Sequence, residues 1–160
     1  ISVKLSALHP RFEFAQHDRL VKELVPRVVA LAQLARDAGV GMTVDAEEAA
    51  RLEPTLDIFE AVFCNKELAA WQGLGIAVQA YQKRATALIT WLTELGRSNG
   101  KRIPLRLVKG AYWDTEIKRA QEQGLSGIPV FTRKLATDVS YLVCARKILQ
   151  AGDVDRKSVV

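Results

Sequence analysis

Four short stretches alternate large apolar residues with small or polar ones: "ISVKL" (1–5), "GMTVD" (41–45), "GIAVQ" (75–79) and "PLRLV" (104–108). A period of two sends neighbours to opposite sides of a strand, so each stretch reads as a short buried strand. Between them the period lengthens. Leu20, Leu24, Val28, Leu31 and Ala35 recur at helical spacing, with Pro26 expected to kink that helix or mark a restart and Gly39 to stop it. Residues 47–64 read as one or two helices broken near Pro54, residues 85–95 as another, and 115–123 as the next, ended by Gly124. A last helix over 135–151 carries Val139, Leu142, Val143, Arg146 and Leu149 in helical register. Strand, helix, strand, helix is the order of a parallel α/β protein, and no linker, low-complexity tract or tandem repeat divides it.

The two sides of the strands differ. Val3 and Leu5 oppose Ser2 and Lys4, Met42 and Val44 oppose Thr43 and Asp45, Ile76 and Val78 oppose Ala77 and Gln79, and Leu105 and Leu107 oppose Arg106 and Val108. One side is large and apolar, as covering helices require. The other is small or polar and bears Lys4, Asp45, Gln79 or Arg106 at or near the carboxyl end. A doubly wound sheet is covered on both faces, so this asymmetry favours a (β/α)8 barrel, whose active site gathers at the C-terminal ends of the strands. Such a barrel needs about 250 residues. With four strands legible, perhaps a fifth, about half a barrel is expected here, starting inside a strand at Ile1.

Composition changes this picture little. The chain has 160 residues, 49% hydrophobic and 26% charged, which is globular composition. Its net charge of +5 comes from 23 basic residues interleaved with 18 acidic ones, a solvated surface rather than a nucleic-acid face. Cys64 and Cys144 lie far apart in apolar helical patterns and are expected to be buried free thiols, with no metal site. No apolar run approaches the roughly 20 residues of a membrane span, and a soluble, cytoplasmic protein is expected.

Lys4, Asp45, Gln79 and Arg106, in equivalent positions on successive strands, point to one shared ligand site. Lys109 reads either as a Schiff-base lysine or as a cation for phosphate. Gly110 lets backbone approach a ligand, or simply turns the chain. Tyr112 and Trp113 beside these cations suit stacking on a planar ring, though core aromatics look the same. Thr132, Arg133 and Lys134 either bind phosphate at a helix start or cap it. In "DAEEAARLE" the acids beyond Asp45 read as a solvated helix start, and His9 and His17, which show no partner spacing, read as loop residues.

In "ISVKLSALHPRFE", "DAEEAARLE", "WQGLGIAVQAYQKRA", "RLVKGAYWDTEIKRAQ", "PVFTRK" and "TDVSYLVCARKIL" the chain resembles the proline dehydrogenase domain of the bifunctional proline utilization A flavoenzymes. The resemblance covers residues 1 to about 149 and implies a partial (β/α)8 barrel over 1–152, with 153–160 an atypical tail. It further implies FAD, oxidation of L-proline to Δ1-pyrroline-5-carboxylate, and a membrane quinone as acceptor at a peripheral membrane location. Arg106 matches the arginine near flavin N5, and Gln79 the glutamine on the isoalloxazine. Val108, Gly110, Ala111 and Trp113 match the loop lining the cofactor, and Thr132 and Lys134 match contacts to its ribose and phosphate side. Lys4, Asp45 and Tyr112 match residues around the proline. Lys109 then serves as a charge near the cofactor, because proline offers no carbonyl. The family's paired arginines for the substrate carboxylate would lie beyond Val160, so these residues alone are expected to be inactive. A homo-oligomer through the parent protein and no nucleic acid through this segment complete the expectation. Two rivals remain on the residues alone: a Schiff-base barrel lyase using Lys109, and a basic non-enzymatic binding module.

Overall fold

In the computed structural model residues 1–151 and 154–159 are described, the latter as backbone only. The chain runs β1 (Ser2–Val3), α1 (His17–Asp37), β2 (Met42–Val44), α2 (Leu52–Phe63), β3 (Leu74–Gln79), α3 (Ala85–Ser98), β4 (Ile103–Val108), α4 (Trp113–Glu122), α5 (Lys134–Ala151) and β5 (Val154–Val159), with short 3-10 turns between. All five strands are parallel and lie side by side in chain order. A doubly wound sheet reverses its strand order at a switch point. This one advances in a single direction with its helices on one side, as a stretch of (β/α)8 barrel does.

The core forms where the large side of the strands meets that helical layer. Met42, Val44, Leu74, Ile76, Val78, Ile103, Leu105 and Leu107 are buried against Leu20, Leu24 and Val28 of α1, Ile58, Phe59 and Val62 of α2, and Leu88, Ile89 and Leu92 of α3. Registers such as Ser2–Thr43, Thr43–Gly75 and Ala77–Arg106 place small residues in line on the opposite side. Gly75 is required there, since a Cβ would come within 2.4 Å of the Pro104 carbonyl oxygen.

Several sequence expectations are corrected. Pro26 does not restart α1, which runs unbroken. It sits with Lys22 on the exposed face, where water can take up the carbonyl that a proline leaves without its donor. Pro54 is the third residue of α2, within the first turn, where no backbone donor is needed. Cys64 is exposed because α2 ends at Phe63, while Cys144 is buried. The residues in helical register along α5 are not its buried ones: Thr137, Cys144 and Ile148 are buried, and Val139, Leu142, Val143 and Leu149 are exposed.

Just before β4, Lys101 is buried. Its ammonium donates to the carbonyls of Phe63 at 2.8 Å and Leu68 at 3.0 Å and lies 4.3 Å from the Phe63 ring centroid. Burial lowers its pKa, and the two carbonyls stabilise what charge remains.

Candidate functional site

Arg106 projects from the middle of β4, where its neighbour across the ladder is Ala77. Because Ala77, Gly75 and Thr43 are small, the guanidinium passes over β3. It donates to the Asp45 carboxylate just beyond β2 and, at 3.0 Å, to Ser2 Oγ on β1. Lys4, beyond the end of β1, brings its ammonium within 3.5 Å of the other oxygen of Asp45. Three strands thus deliver two cations to one carboxylate at the same end of the sheet. Lys4 is exposed and Arg106 half-buried, so both remain open to a second anion.

Gln79 closes β3 and is buried. Its amide nitrogen donates to the Glu47 carbonyl at 2.8 Å, and its amide oxygen accepts the Ala111 N–H at 3.0 Å. One side chain therefore ties the β2–α2 loop to the β4–α4 loop. Glu47 is buried too, accepting the Ser6 N–H at 3.1 Å and the Arg51 guanidinium at 2.6 Å. The acids after Asp45 are thus in part structural ties, not only a solvated helix start. Buried carboxylates persist when fixed donors meet them.

Val108 ends β4 opposite Gln79. At Gly110 the backbone has φ +150°, and a Cβ would come 2.4 Å from the Tyr81 ring. Tyr81 lies beneath this loop, donating its N–H to the Lys109 carbonyl at 2.7 Å, and burial pushes its hydroxyl pKa up. Tyr112 is the N-cap of α4. Trp113 follows, its indole donating to the Phe131 carbonyl at 2.7 Å.

A second acid with two cations lies nearby. Asp138 of α5 takes the ammonium of Lys109 at 2.6 Å and of Lys134 at 2.9 Å, and these bonds, Lys109 first, hold its carboxyl below the usual range. Tyr81, Lys109, Gly110, Trp113, Lys134 and Thr137 enclose an open cleft of about 200 Å³. Thr132 is exposed in the turn before α5. The structure therefore divides the expected residues into two neighbouring groups. Lys4, Asp45 and Arg106 meet at the strand ends, Lys109, Gly110, Trp113 and Lys134 meet at the cleft, and Gln79, Ala111 and Tyr112 belong to the seam between them.

Sequence reasoning missed Ser2, Glu47, Tyr81, Glu116 and Asp138. Asp138 carried a signal, standing four residues after Lys134 on one helix face; Ser2 carried another, sharing the polar side of its strand. His9 lies in a loop, as expected, whereas His17 is corrected to a helix start, and both have partners. His9 is buried in its loop, accepting the Arg11 N–H at 3.2 Å and meeting Glu23 at 3.0 Å. His17 opens α1 and meets Asp57 at 2.7 Å and Asp18 at 3.2 Å.

A βα-barrel segment with an anion-receptive polar cluster at the C-terminal strand ends defines the class of protein. The family model described as Proline dehydrogenase matches residues 1–158, and the chain belongs to that family. The bifunctional protein PutA of Salmonella typhimurium is 56% identical over 149 residues, 93% of this chain and 11% of that protein. A crystal structure of a mutant proline utilization A from Bradyrhizobium japonicum superposes with a TM-score of 0.94 at 54% identity, over 96% of this chain and 16% of that one. That of the Bdellovibrio bacteriovorus protein inactivated by N-propargylglycine gives 0.91 at 32% identity, with the same coverage. The chain thus spans about a ninth of the length of the curated relatives it matches.

Proposed function

We propose that these residues form part of an FAD-dependent proline dehydrogenase, which oxidises L-proline to Δ1-pyrroline-5-carboxylate. The observation carrying this reading is the pair of acids, Asp45 and Asp138, each holding two cations at adjacent places on one rim. Each group has a surplus positive charge. Lys4 suits a substrate carboxylate, Arg106 suits a reacting centre where negative charge develops, and Lys109 and Lys134 suit phosphate oxygens.

The residues present fit part of a flavin dinucleotide. Gly110 lets the backbone lie directly against Tyr81, where a Cβ would come 2.4 Å from the ring, and beside it the aromatic Trp113 and two ammonium groups border the open cleft. Bound there, FAD supplies the acceptor for the two electrons that leave proline as its ring C–N bond becomes C=N. In this reading Arg106 is a fixed donor aimed at the reacting centre, where charge builds in the transition state. Lys4 holds the carboxylate, Asp45 orients both cations, and Tyr112 walls the pocket. Gln79 fixes the Ala111 backbone and has a further N–H for the flavin; Val108, Gly110 and Ala111 line it, and Thr132 and Lys134 hold its ribose and phosphate side. The contact of Lys109 with Asp138 suits a cation fixed beside the cofactor rather than a Schiff-base nucleophile.

Passage of electrons to a membrane quinone, by a protein meeting the membrane peripherally, belongs to the same proposal. No helix among the described residues is long and apolar enough to cross a membrane. We also assign residues 1–152 to the barrel and 153–160 to a tail, although the family match runs to residue 158 and β5 joins the sheet. The test is anaerobic addition of L-proline to the purified full-length polypeptide carrying this segment. Bleaching of the visible flavin band together with formation of the cyclic imine is expected. A protein that holds flavin but stays oxidised with proline would overturn the reading.

A further inference from the structure

We infer that Glu116 is a positioning residue that sets Tyr112 and Trp113 against the loop carrying Asp45. The inference rests on the proposed proline oxidation for its kinetic consequences, though not for its geometry. Glu116 is 3% exposed, deeply buried for a carboxylate. Its Oε1 accepts the N–H of Ala49 from the β2–α2 connection, 67 residues away in the chain. Its own N–H donates to the Tyr112 carbonyl at 2.9 Å. A single residue therefore bonds, through side chain and backbone, to the segments bearing Asp45 and Tyr112.

Helix α4 needs such a tie. It has ten residues and buries only Glu116 and Ala120, too short and too thinly packed to fix its own place. Most helices of globular proteins are located by an apolar face; here a carboxylate on a backbone donor, a charge-assisted bond in a buried setting, does that work. Gln79 ties the Ala111 end of the same connection to Glu47. The two ties meet the β2–α2 loop at Glu47 and Ala49, bracketing Glu48 just beyond Asp45. Loss of the Glu116 tie frees α4 to shift, and displacements of about 1 Å at groups that orient substrate cost on the order of a hundredfold in rate.

The donor can be removed without touching Glu116. Ala49 is the first residue of a 3-10 turn and follows Glu48 at φ −61°, ψ 153°, an extended conformation that a following proline requires. Proline is tolerated at a first helical position, so Ala49→Pro deletes the N–H while keeping the backbone path. The variants Glu116→Ala, Glu116→Gln, Ala49→Pro and the Glu116→Ala/Ala49→Pro double are made in the full-length flavin-loaded polypeptide. Steady-state kinetics with proline per bound flavin are read beside amide hydrogen exchange at residues 110–118.

Glu116→Ala and Ala49→Pro are each expected to lower kcat/KM by roughly ten- to a hundredfold and to speed exchange at residues 110–118. The double variant should be no worse than either single one, because both remove one bond. Glu116→Gln, which keeps an acceptor oxygen, should restore most of the activity and the exchange protection. Multiplying effects in the double, or Glu116→Ala kinetics and exchange like the unmutated protein, would overturn the tie. Where Glu116→Ala fails to hold flavin, Glu116→Gln decides: recovery supports a hydrogen-bonded tie, and a loss as deep as that of alanine refutes it. An unmutated protein inert to proline would refute the proposed reaction instead, leaving exchange to judge the tie.

Discussion

Arg106 and Asp45 form an ion pair that crosses an intervening strand, from the middle of β4 to the end of β2. The reach exists because β3 presents Gly75 and Ala77 on that side. The same pair sets the charge of the rim: Asp45 takes part of each neighbouring cation and leaves a surplus for an incoming carboxylate.

Arg106→Met in the full-length protein should therefore keep some flavin and lose most proline turnover, by about a hundred- to a thousandfold, as when one preorganised donor is deleted. Stopped-flow reduction per bound flavin measures this, and an unchanged reductive rate would remove Arg106 from the chemistry. Asp45 should then rely on Lys4 alone.

Lys4→Ala should act differently. Lys4 is exposed beside Asp45, and a cation serving a carboxylate interacts alike in ground and transition states. Its loss should raise KM roughly tenfold with kcat nearly kept. A collapsed kcat at constant KM would instead assign Lys4 to a chemical step.

His17 gives a pH prediction. Hydrogen bonds to Asp18 and then Asp57 raise its pKa above 6.5, so folding favours the protonated ring. Stability from this contact is then fully present below the unfolded pKa and is lost as pH rises through the folded one. The thermal midpoint of His17→Gln should fall short of the unmutated protein's below pH 6.5 and converge with it once pH has risen through the raised pKa of the folded ring. A gap independent of pH would mean that the ring acts by packing.

Gly110→Ala tests the close approach of this loop to Tyr81. At φ +150° a non-glycine residue costs about 1–3 kcal/mol, and the new Cβ also meets the Tyr81 ring. The variant should unfold at lower denaturant and lose flavin before it loses secondary structure. Full flavin content in Gly110→Ala would show that the loop has room.

How much of this was readable in the chain depended on distance. Strand alternation placed Lys4, Asp45, Gln79 and Arg106 on one side, because a period of two is a local property. The barrel reading followed, and sequential parallel order with family membership bears it out. Contacts joining distant segments left no spacing to read: Glu116 to Ala49, His17 to Asp57, and Gln79 to Glu47 and Ala111. Pro26 misled because local propensity says nothing of which helix face meets water. In α5 the apolar residues extend nearly all round, so periodicity could not choose the buried face.

That helix carries the last prediction. Leu135 is 77% exposed, Val139 62% and Leu142 68%, with Val143 and Leu149 alongside. Their spacing of four, three, one and six residues keeps them on one broad side of α5, a contiguous apolar surface of the kind soluble monomers rarely leave bare. Strand edges are open as well, since five strands in line do not close a barrel. Residues 1–160 expressed by themselves should therefore self-associate and bind no stoichiometric FAD. Leu135→Glu with Leu142→Glu, both outside the buried cluster, should reduce association without lowering the helical signal in circular dichroism. Light scattering with and without the two substitutions, beside the visible spectrum of the purified protein, measures both effects. A yellow, cooperatively melting monomer would show that this segment satisfies its own apolar surface, through a closure that its five strands in sequence do not provide.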